Sequence, residues 1–240
     1  MRPTAPPGPP VGNRLLASLP APEYERLLPH LQPISLGPTQ CLFQPGDGIG
    51  RVYFPVSSIL ATLVVMQDGT VAQAGLIGSE GVACLCTILG CDTTPFAVEV
   101  QNAGAALWMD ADRFREEARR NEVFHGRLHQ YADAFLTQVS YTAACNSLHT
   151  VEQRCCRWLL MMQNRAVPDH FLLTQQTIAR MLGVRRSSVQ EVARRFQEAG
   201  LIHYRRGRIQ IIDRPGLEAR CCECYRNTRE RYGALLGGPS

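Results

Sequence analysis

The period of the apolar positions changes along the chain. Leu15, Leu16, Leu19, Leu27 and Leu28 supply the apolar contacts of one or two short helices between Asn13 and Leu31. From Ile34 the helical spacing stops. Short runs rich in β-branched and aromatic residues follow, at Arg51 to Phe54, Ile59 to Val65 and Val98 to Val100, and that composition predicts strands. Pro45-Gly46-Asp47-Gly48, Asp68-Gly69 and Gly78-Ser79-Glu80-Gly81 separate them. Glycine reaches positive φ and Asp-Gly suits a tight hairpin. The spacing predicts a compact antiparallel barrel or sandwich. It ends near Leu107-Trp108-Met109, where Asp110 can cap a following helix by accepting backbone N–H bonds.

Beyond Asp112 glycine and proline nearly vanish until Pro168. Phe124, Leu128, Tyr131, Phe135, Gln138, Thr142 and Cys145 recur at alternating steps of four and three, one stripe along a helix. Such a stripe needs a partner. Its length and its polar interruptions at Gln138 and Thr142 favour a second copy of the chain, against plain packing on the β-rich half. Val151 to Met162 forms a second amphipathic helix, with Val151, Cys155, Trp158, Leu159 and Met162 on its apolar side.

Leu173 to Phe196 holds two helical patterns separated by Gly183. Thr174 can cap the first, Ala179 is small enough for a close helix crossing, and Gly183 can take the left-handed conformation of a sharp turn. In the second helix Val189, Val192, Ala193 and Phe196 share one face. Arg186, Ser187, Gln190, Glu191 and Arg194 share the other. That polar face suits base edges: arginine pairs with guanine, glutamine with adenine, glutamate accepts from cytosine, and serine serves base or phosphate. Leu201 to Ile212 then places two short β runs around Arg205-Arg206-Gly207. A basic hairpin of this kind lies against phosphates and fixes orientation.

Composition adds contrast between the two halves. The 240 residues suffice for two domains. No apolar run approaches the ~20 residues that span a bilayer, so no membrane partner is expected. The proline-rich Met1 to Asn13 lacks the apolar core of a secretory signal and reads as a disordered tail. Every lysine-or-arginine position is arginine, and none falls between Val52 and Asp112. Thr174 to Ile212, by contrast, carries eight arginines against Glu191 and Glu198. A locally basic segment behind an arginine-free one is a polyanion-binding module attached to something else. The ten cysteines fit reduced thiols in the cytoplasm, since disulfide scaffolds are usually short secreted chains.

At these residues the chain resembles the Crp/Fnr family of bacterial transcription regulators. Further matches are Leu42-Phe43-Gln44-Pro45-Gly46-Asp47, Val52-Tyr53-Phe54-Pro55 and Ile77-Gly78-Ser79-Glu80-Gly81-Val82, the last where the family places its phosphate-binding turn. The resemblance implies an α+β chain: a jelly-roll-like antiparallel β-roll sensor over residues 14–112, a dimerisation helix over 113–146, and a winged helix-turn-helix over 147–240. It implies double-stranded DNA as partner, a homodimer on an inverted repeat, RNA polymerase as a further contact and a small-molecule effector of unknown identity. Arg186, Ser187, Gln190 and Glu191 then read bases, though well-known relatives keep arginine where Glu191 stands. Thr174, Gln175, Arg185, Arg194, Arg205, Arg206 and Arg208 contact phosphates. Phe124, Leu128, Tyr131, Phe135 and Thr142 form the dimer helix, and Gly78, Ser79, Glu80, Gly81 and Thr94 line an effector pocket.

Thr94 stands at or near the position where cyclic-AMP-binding relatives keep an arginine. A buried phosphate needs a cation or a nest of N–H groups, so tight cyclic-AMP binding is not expected. Iron-sulfur relatives carry cysteines near the N-terminus, and none precedes Cys41 here. Cys84, Cys86, Cys91 and the Cys221-x-x-Cys224 spacing are read as small buried hydrophobes, with no metal and no cofactor expected. His125, His129 and His149 are given no haem. The competing reading is a cyclic-nucleotide-responsive or redox sensor module without gene regulation. An enzyme has little support, because no Gly-x-Ser-x-Gly elbow or His-Glu-x-x-His helix occurs.

Overall fold

The computed structural model describes residues 12–166 and 170–237. Two short helices, α1 (Arg14–Ala17) and α2 (Ala21–Leu27), precede the strands β1 (Gln32–Leu36), β2 (Cys41–Phe43), β3 (Arg51–Pro55), β4 (Ile59–Val65) and β5 (Val71–Ile77). After α3 (Leu85–Ile88) come β6 (Ala97–Asn102) and β7 (Gly104–Asp110). All pairings are antiparallel, in a three-stranded sheet ordered β1-β7-β3 and a four-stranded sheet ordered β2-β6-β4-β5. This is the expected roll. Asn13, counted with the tail in the sequence, is buried, and its side-chain amide donates to the carbonyls of Pro55 (2.8 Å) and Gly81 (2.9 Å). The rest of that tail, to Val11, lies outside the described residues.

Helices dominate the remainder: α4 (Ala111–Arg120), α5 (Glu122–Leu148) and α6 (Val151–Gln163). Asp110 caps α4 as anticipated, accepting from the amides of Asp112 and Arg113. The break before α5 has no glycine or proline to announce it. Asn121 makes it, by leaving the helical region and accepting from Phe124 N–H. Then follow β8 (His170–Leu172), α7 (Gln175–Leu182), α8 (Arg186–Glu198), β9 (Ile202–Arg205), β10 (Arg208–Ile211), α9 (Arg214–Arg220) and α10 (Glu223–Leu236).

Strand β4 explains how the two halves meet. Its side chains alternate between faces. Leu60 enters the roll interior with Leu36, Phe54, Val100 and Met109, while Ile59, Ala61 and Leu63 join a second core with Trp158, Leu159, Met162, Ile178 and Phe196. A strand covered on both faces reads as a continuous apolar run, and Ile59-Leu60-Ala61-Thr62-Leu63 is one. Polar contacts cross the same seam. Trp158 Nε1 donates to Gln73 Oε1 at 2.9 Å, and the Arg180 guanidinium grips both oxygens of Glu99 at 3.1 and 3.2 Å.

The stripe on α5 corrects an expectation. Phe124, Leu128, Tyr131 and Phe135 are buried in the chain's own roll core rather than offered to a second copy, and Tyr131 Oη donates to Val82 O at 3.0 Å. Gln138 binds the Leu76 carbonyl (3.0 Å), and Thr142 donates to Gln138 O (2.8 Å), so the polar interruptions also serve intrachain contacts. A neighbouring face of α5 is covered by α10, through Gln138 with Tyr232 and Asn227 with Tyr141. Two flanks are thus occupied. The least covered side carries His129, Leu136 and Ala143, with Leu136 62% exposed, and between them Ala132 and Val139 are half-buried.

Candidate nucleic-acid interface

Thr174 sits before α7 and accepts from Thr177 N–H at 3.1 Å, so the first helix starts where a cap was read. Gly183 closes α7 at φ 62°, the left-handed turn that lets α8 leave at a steep angle. Ala179 is buried between the two helices. On α8, Val189, Val192, Ala193 and Phe196 are buried, which turns Arg186, Ser187 and Gln190 outward, all exposed.

Glu191 and Arg194 are bonded along the helix. The Glu191 carboxylate accepts from Arg194 (2.8 and 3.2 Å) and Arg195 (3.0 Å), and Arg194 also reaches Glu198 at 2.6 Å. These bonds, Arg194 first and then Arg195, hold the Glu191 carboxyl below its ordinary range. Three- and four-residue spacing along a helix brings such partners together. In the DNA-free chain the Glu191 carboxylate thus lies along its own helix, and the Arg194 charge is offset by Glu191 and Glu198. The uncommitted face is the first half of α8, Arg185 to Gln190.

The wing stands beside it. Strands β9 and β10 pair antiparallel, with Arg208 opposite Arg205 and Gln210 opposite His203, and β8 adds a third strand on the far side of β10. Alternation buries Ile209 and Ile211 and leaves His203, Arg205, Arg208 and Gln210 exposed on one face. The turn is Arg206-Gly207, both at positive φ (50° and 77°), the backbone of a two-residue hairpin that matches strand twist. An arginine there sits in a sparsely populated region, at a cost on the order of 1 kcal/mol. An open groove between wing and helices is lined by Thr174, Gln175, Arg186, Gln197, Tyr204 and Arg206. Gln197 fixes the spacing by accepting from Tyr204 N–H at 3.1 Å.

Crp-like helix-turn-helix domains match residues 153–220. The chain has the Crp/Fnr fold and carries a Crp-like helix-turn-helix domain. Similar solved structures include FixK2 from Bradyrhizobium japonicum, at 14% identity and TM-score 0.66, over 80% of this chain and 98% of that one. The c-di-GMP-responsive global regulator CLP from Xanthomonas campestris matches at 19% identity and TM-score 0.61, over 81% and 100%. A CooA mutant from Carboxydothermus hydrogenoformans matches at 14% and 0.59, over 81% and 89%. No curated protein matches the chain.

In this Crp/Fnr roll the expected effector residues do not converge. Glu80 is buried and bonded to buried Arg165 (Nε to Oε1, 2.6 Å), and it also accepts from Gly78 N–H at 3.1 Å. Ser79 O accepts from Arg14 N–H at 2.5 Å. A Cβ on Gly81 would fall on the Tyr131 ring. Thr94 is buried, bonded to Phe96 through its hydroxyl and to the Gly46-Asp47 turn through its backbone. The Glu80 carboxylate and the Thr94 hydroxyl are thus satisfied within the chain. Arg165 lies in a stretch without apolar period, so no sequence signal announced it.

The cysteines divide. Cys155 and Cys156 are core residues, and burial pushes the Cys156 thiol up to about 12. Cys84 is likewise buried. Cys145, Cys222 and Cys224 are not simply packed hydrophobes: they gather with His149, all four ligand atoms within 4.8 Å of one another. Among the described residues no helix is long and apolar enough to cross a membrane.

Proposed function

We propose that this chain is a cytoplasmic, sequence-specific DNA-binding transcription regulator that works as a homodimer on an inverted repeat. One observation supports the reading: Arg186, at the start of a half of α8 where Ser187 and Gln190 are also exposed, lines a groove with the wing arginine Arg206 and the α7 start at Thr174 and Gln175. Recognition helices of this motif contact bases with their N-terminal residues. Arg186 and Gln190 read bases, with Ser187 serving base or phosphate. Thr174, Gln175, Arg185, Arg205, Arg206 and Arg208 hold the phosphates on either side. RNA polymerase is the expected further partner once DNA is bound.

The dimer uses the open face of α5, where Ala132, Leu136, Val139 and Ala143 repeat at steps of four and three. Two copies joined there would present their α8 helices to half-sites about 34–36 Å apart. With Glu80 and Thr94 satisfied internally, the controlling signal is not a cyclic nucleotide held at the Gly78–Gly81 turn.

Selection of bound fragments from total genomic DNA, followed by fluorescence anisotropy on the recovered site across ionic strengths, tests this. Affinity should fall linearly on a log-log plot, with a slope near −0.9 per neutralised phosphate. Leu136→Glu should yield monomers by light scattering and lose the full site. Protein that recovers no fragment at low salt, while folded and dimeric, overturns the reading.

A further inference from the structure

At the far end of α5 from the roll's first turn, four side chains that bind soft metals meet. Cys145 and His149 are one helical turn apart at the C-terminus of α5, with His149 N–H bonded to Cys145 O at 3.1 Å, so both point to the same side. Cys222 is the residue before α10, and Cys224 lies in its first turn. The sulfurs of Cys145 and Cys222 are 3.6 Å apart, and Cys224 Sγ is 3.7 Å from His149 Nδ1. All four ligand atoms fall within 4.8 Å of one another, and the three cysteines are buried.

Those separations define the guest. With Zn–S near ~2.3 Å and Zn–N near ~2.0–2.1 Å, a regular tetrahedron places its ligand atoms roughly 3.5–3.8 Å apart. An iron-sulfur cluster interposes iron and sulfide atoms between ligands bound to different irons, and four ligand atoms all within 4.8 Å of one another leave no room for that. Three thiols and an imidazole select a soft or borderline ion over magnesium or calcium.

Two surrounding groups complete the arrangement. His149 turns Nδ1 to the cluster and Nε2 to the Glu223 carboxylate at 3.4 Å, the carboxylate–histidine pairing that fixes the tautomer of a metal-bound imidazole. Arg157 is buried, 7% exposed, yet forms no ion pair with a carboxylate among the described residues. It donates to Gln138 O (3.3 Å) and Thr142 Oγ1 (3.0 Å), and its Nε has no partner. A buried guanidinium requires a compensating charge. Thiolates at Cys145, Cys224 and Cys222 would favour its positive charge. A divalent ion with three thiolates carries one net negative charge, which would balance it.

We propose that Cys145, His149, Cys222 and Cys224 form a closed tetrahedral site for one zinc ion, with Glu223 orienting His149. The ligand pairs lie on either side of residues 153–220, the Crp-like domain, so the ion ties the two ends of the DNA-binding domain together. Four protein ligands leave no open position, which makes the site structural rather than catalytic. Binding displaces the three thiol protons, and loss of the ion removes the tie between the start of α10 and the end of α5 while Tyr232 and Leu235 stay packed in the roll core.

The test uses the full chain, purified anaerobically without metal chelators. Elemental analysis should find one zinc per chain, and cobalt substitution should give the intense visible bands of a tetrahedral thiolate complex. Cys222→Ser and Cys224→Ser should each lose the ion, while Cys91→Ser, at an exposed position, should keep it. A second measurement, independent of how the serine variants fold, is His149→Cys: a four-thiolate site should retain one zinc with an altered cobalt spectrum. Glu223→Gln should lower zinc affinity about 10-fold or more. Brown protein containing iron and sulfide overturns the single-ion site. So does folded protein that stays metal-free after anaerobic incubation with zinc, or a cobalt spectrum unchanged in His149→Cys. DNA binding is not a readout in any arm, so failure of the zinc site and failure of the regulator reading stay distinct.

Discussion

The first half of α8 and the Gly78–Gly81 turn of the roll are both built from small, polar and charged residues, and they end in opposite states. On α8, Arg186, Ser187 and Gln190 have no partner drawn from the chain's core and face solvent. In the turn, Glu80 meets Arg165, Ser79 O meets Arg14, and Gly81 is sealed by Tyr131. The difference is what packs against each. α8 has the second core behind it and nothing in front, whereas the turn is enclosed by the N-terminal residues, by α5 and by the end of α6. A polar motif is a ligand site only when the fold leaves it unsatisfied, because satisfied buried groups have no reason to exchange partners.

Removing one half of the enclosed pair should produce the largest effect. Arg165→Met leaves the Glu80 carboxylate buried without its cation, and stability to urea should fall by about 3–5 kcal/mol. Adding Glu80→Leu should restore much of that loss, since an apolar replacement of a whole buried pair is often neutral. A drop below about 1 kcal/mol for Arg165→Met would mean that Glu80 already has water or another partner, and the contrast between turn and helix would weaken.

How much of this was legible follows the range of the forces involved. Capping and turn geometry are local, so Asp110, Thr174 and Gly183 were readable from their neighbours alone, and the wing followed from a basic turn between two β runs. The Phe124–Thr142 stripe was legible as a helix but not as to its partner: period shows that a face is buried and is silent about what covers it. Only contact with Val82 and Gly75 in the roll decides that. Arg165, and the meeting of Cys145 with Cys222 across 77 residues, are long-range pairings that no window of sequence contains. The bonds of Glu191 to Arg194 and Arg195 were equally open to reading, because the same spacing that aligns side chains for DNA also aligns them with each other.

A change on the open side should leave stability nearly untouched and act on discrimination. Arg186→Ala should reduce preference for one base pair by about 1–3 kcal/mol, measured by competition between the selected site and single-base variants. Uniform weakening across all variants would assign Arg186 to phosphate and move base readout to Gln190.

The smallest effect separates free from committed arginines on the same surface. Arg206, exposed in the wing turn, should contribute about one unit to the slope of log affinity against log salt, so Arg206→Ala should flatten it by about 1. Arg194→Ala should leave the slope nearly unchanged, because its charge is already offset by Glu191 and Glu198, and exposed helical pairs are worth only about 0.3–0.5 kcal/mol. Glu191→Gln then sharpens the point. It removes the carboxylate shared by Arg194 and Arg195, frees positive charge on α8, and should steepen the slope on any duplex without adding preference among bases. If Glu191→Gln instead changed preference at a single position, the carboxylate would have to leave Arg194 and Arg195 on binding, and the division of α8 into a reading half and a self-neutralised half would fail.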